Sequence, residues 1–458
     1  MSMSSSQHIS VETVKSMALN KKISLVEHNF ISLAEKMPFS DEYTQIYRDI
    51  WCDQQSPFIK EEVLRDDPQS RADVMVPNTT WVFRPTPAMN ADVLELLQTR
   101  PFIREEYETA LYNIIKAART GKTKITVPLD GYEDEEFSDE EEESLDAEEQ
   151  APSTSSEPTI GMRRSHEEDS TDDREKKKQR LDDGEHDESY ANPFQGQEID
   201  TKLKGYIVLG HRGIGESSKC SFFIRPVTLT IPGKSIFLYY ILLLRLQAKQ
   251  PAILVRHPEK VTVFLQQGVF SVSMADFTSV AKLIPGTAWC LVDSNQMLQG
   301  VPLSITETPF FIVQAARARR DHLDWQNQVV GIHRYVMKPF TLSELIVGRN
   351  RTLNVAENIS EISLEKYRKW YTPSARTAYQ NANNFDQYAA EIRQLLRQMT
   401  ITYVKRLTEI FPNLEAMDEQ LMHHFFFVTA EAGGDRSFAN MDIASRDLCE
   451  LLITQPLL

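Results

Sequence analysis

Residues 205–245 constrain the fold more than any other stretch of this chain. Tyr206-Ile207-Val208-Leu209 is a short apolar run, and a glycine-spaced turn, Gly210-His-Arg-Gly213-Ile-Gly215, follows it. A second piece, Pro232-Gly233-Lys234-Ser235, opens an apolar helix that runs to Gln247. Four apolar residues in a row, bounded by glycine, read as a strand buried on both faces, as in parallel sheets. Together the two pieces are the halves of the phosphate-binding pattern G-x-x-x-x-G-K-[ST], with residues 216–233 between them. Without those 18 residues the text is Gly210-His-Arg-Gly-Ile-Gly215-Lys234-Ser235, an uninterrupted motif.

The residue types suit that chemistry. Backbone N–H groups at a helix N-terminus converge on phosphate oxygens, and glycine is needed where the backbone passes close with unusual φ. The pattern assigns Gly210, Gly213, Gly215, Lys234 and Ser235 to a nucleotide, ATP or GTP, with the Ser235 hydroxyl also on Mg²⁺. Ala288-Trp-Cys-Leu-Val-Asp293 is an apolar strand ending in a carboxylate, which places Asp293 in the same Mg²⁺ shell. Ser294 follows where hydrolysing relatives of many P-loop classes carry a glutamate, which argues against fast turnover. Gln314 closes the next apolar strand and reads either as a sensor of the γ-phosphate or as a strand-end amide. Arg317, Arg319 and Arg320 read either as charge for a triphosphate or as a solvated helix face.

Two origins remain open for residues 216–233. Gly215-Glu-Ser and Pro232-Gly233 are compatible with codons GGT-GAG-TCN and CCA-GGN, which contain splice donor and acceptor sequences. Joining them removes about 54 nucleotides (18 codons) in frame, so the segment reads as a retained intron or as a genuine loop insertion. Extra loop length costs little stability, about 0.6 kcal/mol per doubling. A phosphate cradle tolerates displacement far less, so the uninterrupted form is expected to bind nucleotide and the full chain weakly or not at all.

Composition sets the surroundings. The formal charge is −16, but residues 131–190 hold 24 acidic and 7 basic residues, a balance of −17, leaving about +1 for the other 398. The acidity belongs to one low-complexity segment, expected to be disordered because it has almost nothing apolar to bury. Ser138, followed by Asp-Glu-Glu, suits an acid-directed kinase. Arg163-Arg164 and the cluster Arg174 to Arg180 match a bipartite signal for nuclear import through an importin, or else a charge-mixed linker. Flanking carboxylates make a nucleic-acid role for that cluster unfavourable. Four scattered cysteines, Cys52, Cys220, Cys290 and Cys449, fit a reducing compartment rather than a disulfide or zinc framework. The strongest apolar run is too short for a bilayer, so the expectation is an intracellular protein, nuclear or cytoplasmic, without membrane contact.

The apolar periodicity predicts strands at 206–209, 252–255, 261–264, 269–272, 289–293 and 310–314, with a helix from Ser235 between the first two. This β-α-β alternation predicts an α/β fold: a parallel P-loop sheet flanked by helices, spanning 196–355. A loose tail at 1–20, a helical module at 21–130, an acidic linker at 131–195 and a helical lid at 356–458 complete the expected organisation. Helices are expected at 362–370, 385–399 and 404–411. The chain stops at Leu458 in what reads as mid-element, pointing to further domain beyond it.

GHRGIG…GKSIFLYYILLLRL, WCLVDS, PFFIVQAA, HRYVMKPFTLSEL at 333–345 and WYTPSARTAY at 370–379 together resemble the P-loop NTPase module of Crinkler/RHS-type proteins, in the form expanded in mushroom-forming fungi. The resemblance covers roughly 75–130 and 196–458. It implies an ATP-binding regulatory module of the STAND/AAA-like class, in which nucleotide state governs an attached effector. Arg376, in Pro373-Ser-Ala-Arg376, is implied to reach the nucleotide from the lid, or else to make a helix-start salt bridge. The nuclease domain common in such architectures has no counterpart motif before Leu458, so that activity is not carried over. A nucleotide-free interaction scaffold that keeps the fold is the alternative reading.

Overall fold

The computed structural model describes residues 37–66, 74–84, 101–121, 190–196, 199, 201–210, 233–295, 297–317, 320–349, 359–371, 374–398, 425–430, 436–443 and 445–454. The expected tail, acidic segment, basic cluster and helix at 404–411 lie outside these residues. The elements in chain order are α1 (Thr44–Tyr47), running into a π-type turn at Arg48–Cys52, β1 (Phe58–Glu62), β2 (Thr79–Phe83) and α2 (Glu105–Thr120). Then come β3 (Gly205–Leu209), α3 (Gly233–Gln247), β4 (Ala252–His257), β5 (Lys260–Leu265), β6 (Gly268–Ser273), β7 (Trp289–Asp293), β8 (Phe311–Ala316) and β9 (Ile332–Val336). The C-terminal part holds α4 (Leu342–Arg349), α5 (Glu361–Trp370), α6 (Ala375–Asn381), α7 (Phe385–Gln398), β10 (Phe426–Ala430), β11 (Ala439–Ile443) and α8 (Arg446–Thr454).

A seven-stranded sheet runs in the order β6-β5-β4-β7-β8-β3-β9. The pairs β4–β7, β7–β8, β8–β3 and β3–β9 are parallel, and β5 and β6 add an antiparallel hairpin at one edge. The fold is therefore α/β with a mostly parallel sheet. Residues of β3, β7 and β8 are buried throughout, as continuous apolar strands covered on both faces must be. Tyr206, Val208, Leu291 and Val313 face a core shared with α2 and α3. Ile207, Leu209, Val292 and Ile312 face the opposite core, closed by Phe277, Val280, Ile305, Leu323 and Trp325. The period of two along each strand assigns alternate residues to these two cores.

Helix α3 is buried on every side, with Phe237, Leu238, Ile241, Leu242, Leu244 and Leu246 all at 0% exposure. Arg245, the one charged residue inside this run, is buried too. Its Nη2 donates to the carbonyls of Pro251 and Thr287 at 2.9 Å each, and its guanidinium lies over the rings of Phe194 and Trp289.

Within 21–130, a span expected to be helical, the described helices are the four-residue α1 and the longer α2. The β1–β2 ribbon between them is a departure, paired antiparallel with Phe58 opposite Phe83. Its Thr79-Thr-Trp-Val-Phe83 text is β-branched and aromatic, which suits a strand better than a helix. A second departure is the β10–β11 ribbon in the C-terminal region, where Phe426 lies opposite Ile443. A third apolar cluster, including Leu345, Leu364, Tyr367, Tyr388 and Ile392, holds α4, α5, α6 and α7 together. Strand β9, not anticipated as a strand, extends the parallel set past β3.

Gly205 starts β3 beside the backbone of β8. A Cβ there would stand 2.6 Å from the Ile312 carbonyl oxygen and 3.2 Å from the Trp325 ring. Gly205→Ala is expected to cost about 1–3 kcal/mol in urea unfolding, as overpacking does. A variant as stable as the parent would show that the two strands are not in this close register.

Candidate functional site at the carboxyl ends of the parallel strands

Open α/β sheets bind ligands outside the carboxyl ends of their strands, where successive connections leave in opposite directions. Here that point is the end of β3. The connection through α3 carries the chain to β4, beyond β7 and β8, whereas the later connection from β8 crosses β3 to reach β9. Gly210 directly follows β3, and the first turn of α3 returns to it. Lys234 Nζ donates a hydrogen bond of 2.8 Å to the Gly210 carbonyl. A Cβ at Gly210 would lie 3.3 Å from Met337 Cβ and 3.4 Å from Lys234 Cγ, so the lysine stem occupies the space a side chain would need. Gly233 is similarly close to the Tyr107 hydroxyl and the Phe340 ring.

One residue further along α3, Ser235 Oγ donates to Asp293 Oδ1 at 2.8 Å. Both residues are buried. Burial pushes the Asp293 carboxyl above its ordinary value, against the opposing pull of Arg256, the Ser235 hydrogen bond, Lys234 and Arg317. Arg256 Nε stands 3.8 Å from Asp293 Oδ2, and its guanidinium lies 5.7 Å from the centre of the Tyr239 ring. The Tyr239 hydroxyl pairs in turn with that of Tyr43 at 3.3 Å.

Gly210, Lys234, Ser235 and Asp293 thus meet at one end of the sheet, although 83 positions separate the first from the last. Gly213 and Gly215 lie outside the described residues. Gln314 is elsewhere. Its neighbours Val313 and Ala315 belong to the α3 side of the sheet, and Gln314 points to the opposite side at 0% exposure. There its amide donates to Ser294 Oγ at 2.7 Å and to the His322 carbonyl at 2.9 Å, and accepts from Trp325 Nε1 at 2.6 Å. With these partners the amide ties β8 to the end of β7 and to the 320–327 segment. Arg376 lies in α6, near its start, and its side chain is outside the described positions.

Arg256 went unnoticed in the sequence. Its only trace is a cation at the tail of an apolar strand, Ala-Ile-Leu-Val-Arg256. The register that sets Val255 beside Val292, and so puts Arg256 level with Asp293, exists only in the folded sheet.

The oxygen pair Ser235 and Asp293 suits a hard, oxygen-seeking cation such as Mg²⁺, which takes one or two protein oxygens and completes its shell with phosphate and water. Among the described residues, no group of three or more His, Cys, Asp or Glu is placed to hold a metal ion. No family model and no curated protein matches the chain. Among solved structures, a single-substitution variant of Thermotoga maritima RuvB is similar at 13% identity and a TM-score of 0.23. That match covers 47% of this chain and 65% of the RuvB chain, less than two thirds of its length. Among the described residues no helix is long and apolar enough to cross a membrane.

Asp293→Asn keeps the side-chain shape and an acceptor for Ser235 while removing the charge that burial disfavours. A carboxyl raised by folding adds its full stability below the unfolded value of 3.8 and loses it as pH rises toward the folded value. Without added nucleotide or Mg²⁺, Asp293→Asn is therefore expected to melt higher than the parent at pH 7. That advantage should vanish as pH falls to 3.8. Melting temperatures that coincide across the range would mean that Arg256 and Ser235 fully offset the burial.

Proposed function

We propose that this protein is a nucleotide-binding module of the P-loop type, with ATP or GTP and Mg²⁺ held at the carboxyl ends of β3 and β7. The observation that carries this reading is the convergence of Lys234 on Gly210 and of Ser235 on Asp293, each at 2.8 Å. Lys234 supplies a cation for the β- and γ-phosphate oxygens. Ser235 and Asp293 supply oxygen ligands for Mg²⁺, which when bound neutralises phosphate charge and orients the triphosphate. Gly210 leaves room for the Lys234 stem and Met337 against the end of β3. Ser294 bonds Gln314 rather than presenting a carboxylate to water. This favours a switch that senses nucleotide over an enzyme with rapid turnover.

The resemblance to Crinkler/RHS-type modules supports a regulatory role, with Arg376 of the C-terminal region as the residue that reads the nucleotide. The basic pairs at 163–180 support import into the nucleus through an importin. The scaffold alternative draws support from the interruption at 216–233. Yet Gly210 and Lys234, on either side of the interruption, are in contact.

Thermal unfolding with Mg²⁺ and ATP separates the two readings. Ligand at a hundredfold excess over Kd adds about 2.7 kcal/mol of stability. The form lacking 216–233 should show a shift of that size, the full chain little or none, and Lys234→Ala should abolish it. If the shortened form also fails to respond to ATP and GTP, the nucleotide reading is wrong and the scaffold reading stands.

A further inference from the structure

The phosphate site contains one cation that none of its motifs supplies. Arg256 leaves the end of β4 on the same side of the sheet as α3 and Asp293. Asp293 divides its two oxygens: Oδ1 accepts from Ser235 at 2.8 Å, and Oδ2 faces Arg256 Nε at 3.8 Å. That Nε is buried and makes no hydrogen bond, and the guanidinium also bonds the Tyr43 side chain. The side chain retains 27% exposure, which leaves a solvent-facing edge on the guanidinium. Its position is held from both ends. The Arg256 carbonyl accepts from Asn295 Nδ2 at 2.9 Å, just past Asp293, and the Tyr239 ring packs against the guanidinium.

Among the described residues, Lys234, Arg256 and Arg317 set positive charge against Asp293 at this end of the sheet. Lys234 attracts an incoming triphosphate, Asp293 repels it, and Arg256 cancels the repulsion. Here a fixed guanidinium stands beside the carboxylate oxygen that Ser235 leaves unoccupied. At such separations and an intermediate effective dielectric, a unit charge changes ion affinity by tenfold or more. Arginine suits this place because it stays charged even when partly buried.

Resting on the nucleotide reading above, we propose that Arg256 is a positioning residue that serves as a built-in counter-ion for Asp293, so that triphosphate binding at this site depends only weakly on Mg²⁺. The same charge opposes Mg²⁺ at Asp293.

The test is nucleotide affinity measured in EDTA and in millimolar Mg²⁺, using the full chain and the form lacking 216–233. The probes are ATP and inorganic triphosphate, the latter showing that recognition is of phosphate rather than base. The parent should change affinity by no more than about threefold between the two conditions. Arg256→Gln should lose about tenfold in EDTA, regain it in Mg²⁺, and reach half-saturation at several-fold lower Mg²⁺. Arg256→Lys should restore the parent's behaviour in EDTA, since it keeps the charge. A second readout needs no nucleotide: thermal stabilities of Arg256→Gln, Asp293→Asn and the double variant should be non-additive. If Arg256→Gln binds with the parent's Mg²⁺ dependence, or if the cycle is additive, the counter-ion role is overturned while the nucleotide reading survives. If neither form binds either probe under any condition, the nucleotide reading falls and this inference falls with it.

Discussion

The structure depends on one helix that cannot face water. From Phe237 to Leu246, α3 carries apolar residues on every side, and burying each large one contributes about 1.5–3 kcal/mol. A helix of this kind needs cover on the side away from its sheet. The cover comes from segments far away in sequence. Tyr43, Tyr47 and Trp51 of the α1 region, Phe58 and Phe83 of the β1–β2 ribbon, and Tyr107, Leu111 and Ile114 of α2 all join its core. Tyr190 reaches in from beyond the acidic segment, bonding Glu108 at 2.6 Å and Tyr240 at 2.8 Å. The α1 region, the β1–β2 ribbon and α2 are thus the outer wall of the sheet's core, and α3 is the reason they pack there.

The start of α2 also fixes the surroundings of Gly210 and Gly233. Glu106 is buried and accepts from the Tyr335 hydroxyl at 3.1 Å, the Lys338 amide at 2.8 Å and Arg436 at 3.4 Å. Arg104 makes a bidentate pair with Glu344 and stacks on the Phe340 ring at 3.9 Å. Buried charges are tolerable only when paired and hydrogen-bonded, and these are. Together they clamp the segment after β9, including Met337 and Phe340, against Gly210 and Gly233. A second charged knot joins the segment after β1 to the C-terminal helices. Glu361 receives both nitrogens of Arg65 at 2.9 Å, and Arg349 bridges Asp66 and Glu361. These two knots tie α4 and the start of α5 to segments before residue 121.

The electrostatics of the site follow from depth. Asp293 ends a fully buried strand, so its charge is costly and is met by Ser235, Arg256, Lys234 and Arg317 at once. Gln314 lies on the neighbouring strand but one step off in the pleat. That single step sends it through the sheet to Trp325 and His322. Closeness in sequence to a strand end is therefore a poor guide to which side chains share a site, because the period of two decides the face.

Much of this was legible without coordinates. Apolar runs bounded by glycine or a carboxylate located β3, β7 and β8, and the GKS text located the start of α3, since local period and turn chemistry act over a few residues. The kinship of Gly210 with Lys234 was also visible, because the motif's residue types are tied to one chemistry. Other features needed the fold. Strand order, the ribbons β1–β2 and β10–β11, and the covering of α3 by residues before 121 rest on pairings between distant segments, which periodicity does not encode. Arg256 illustrates the limit. Its residue type says only that it is charged, and its meaning comes from the register that sets Val255 beside Val292. Residue type and period along the chain mark which segments must be buried. The tertiary structure decided which of them meet, because burial and charge pairing are settled by neighbours in space rather than in the chain.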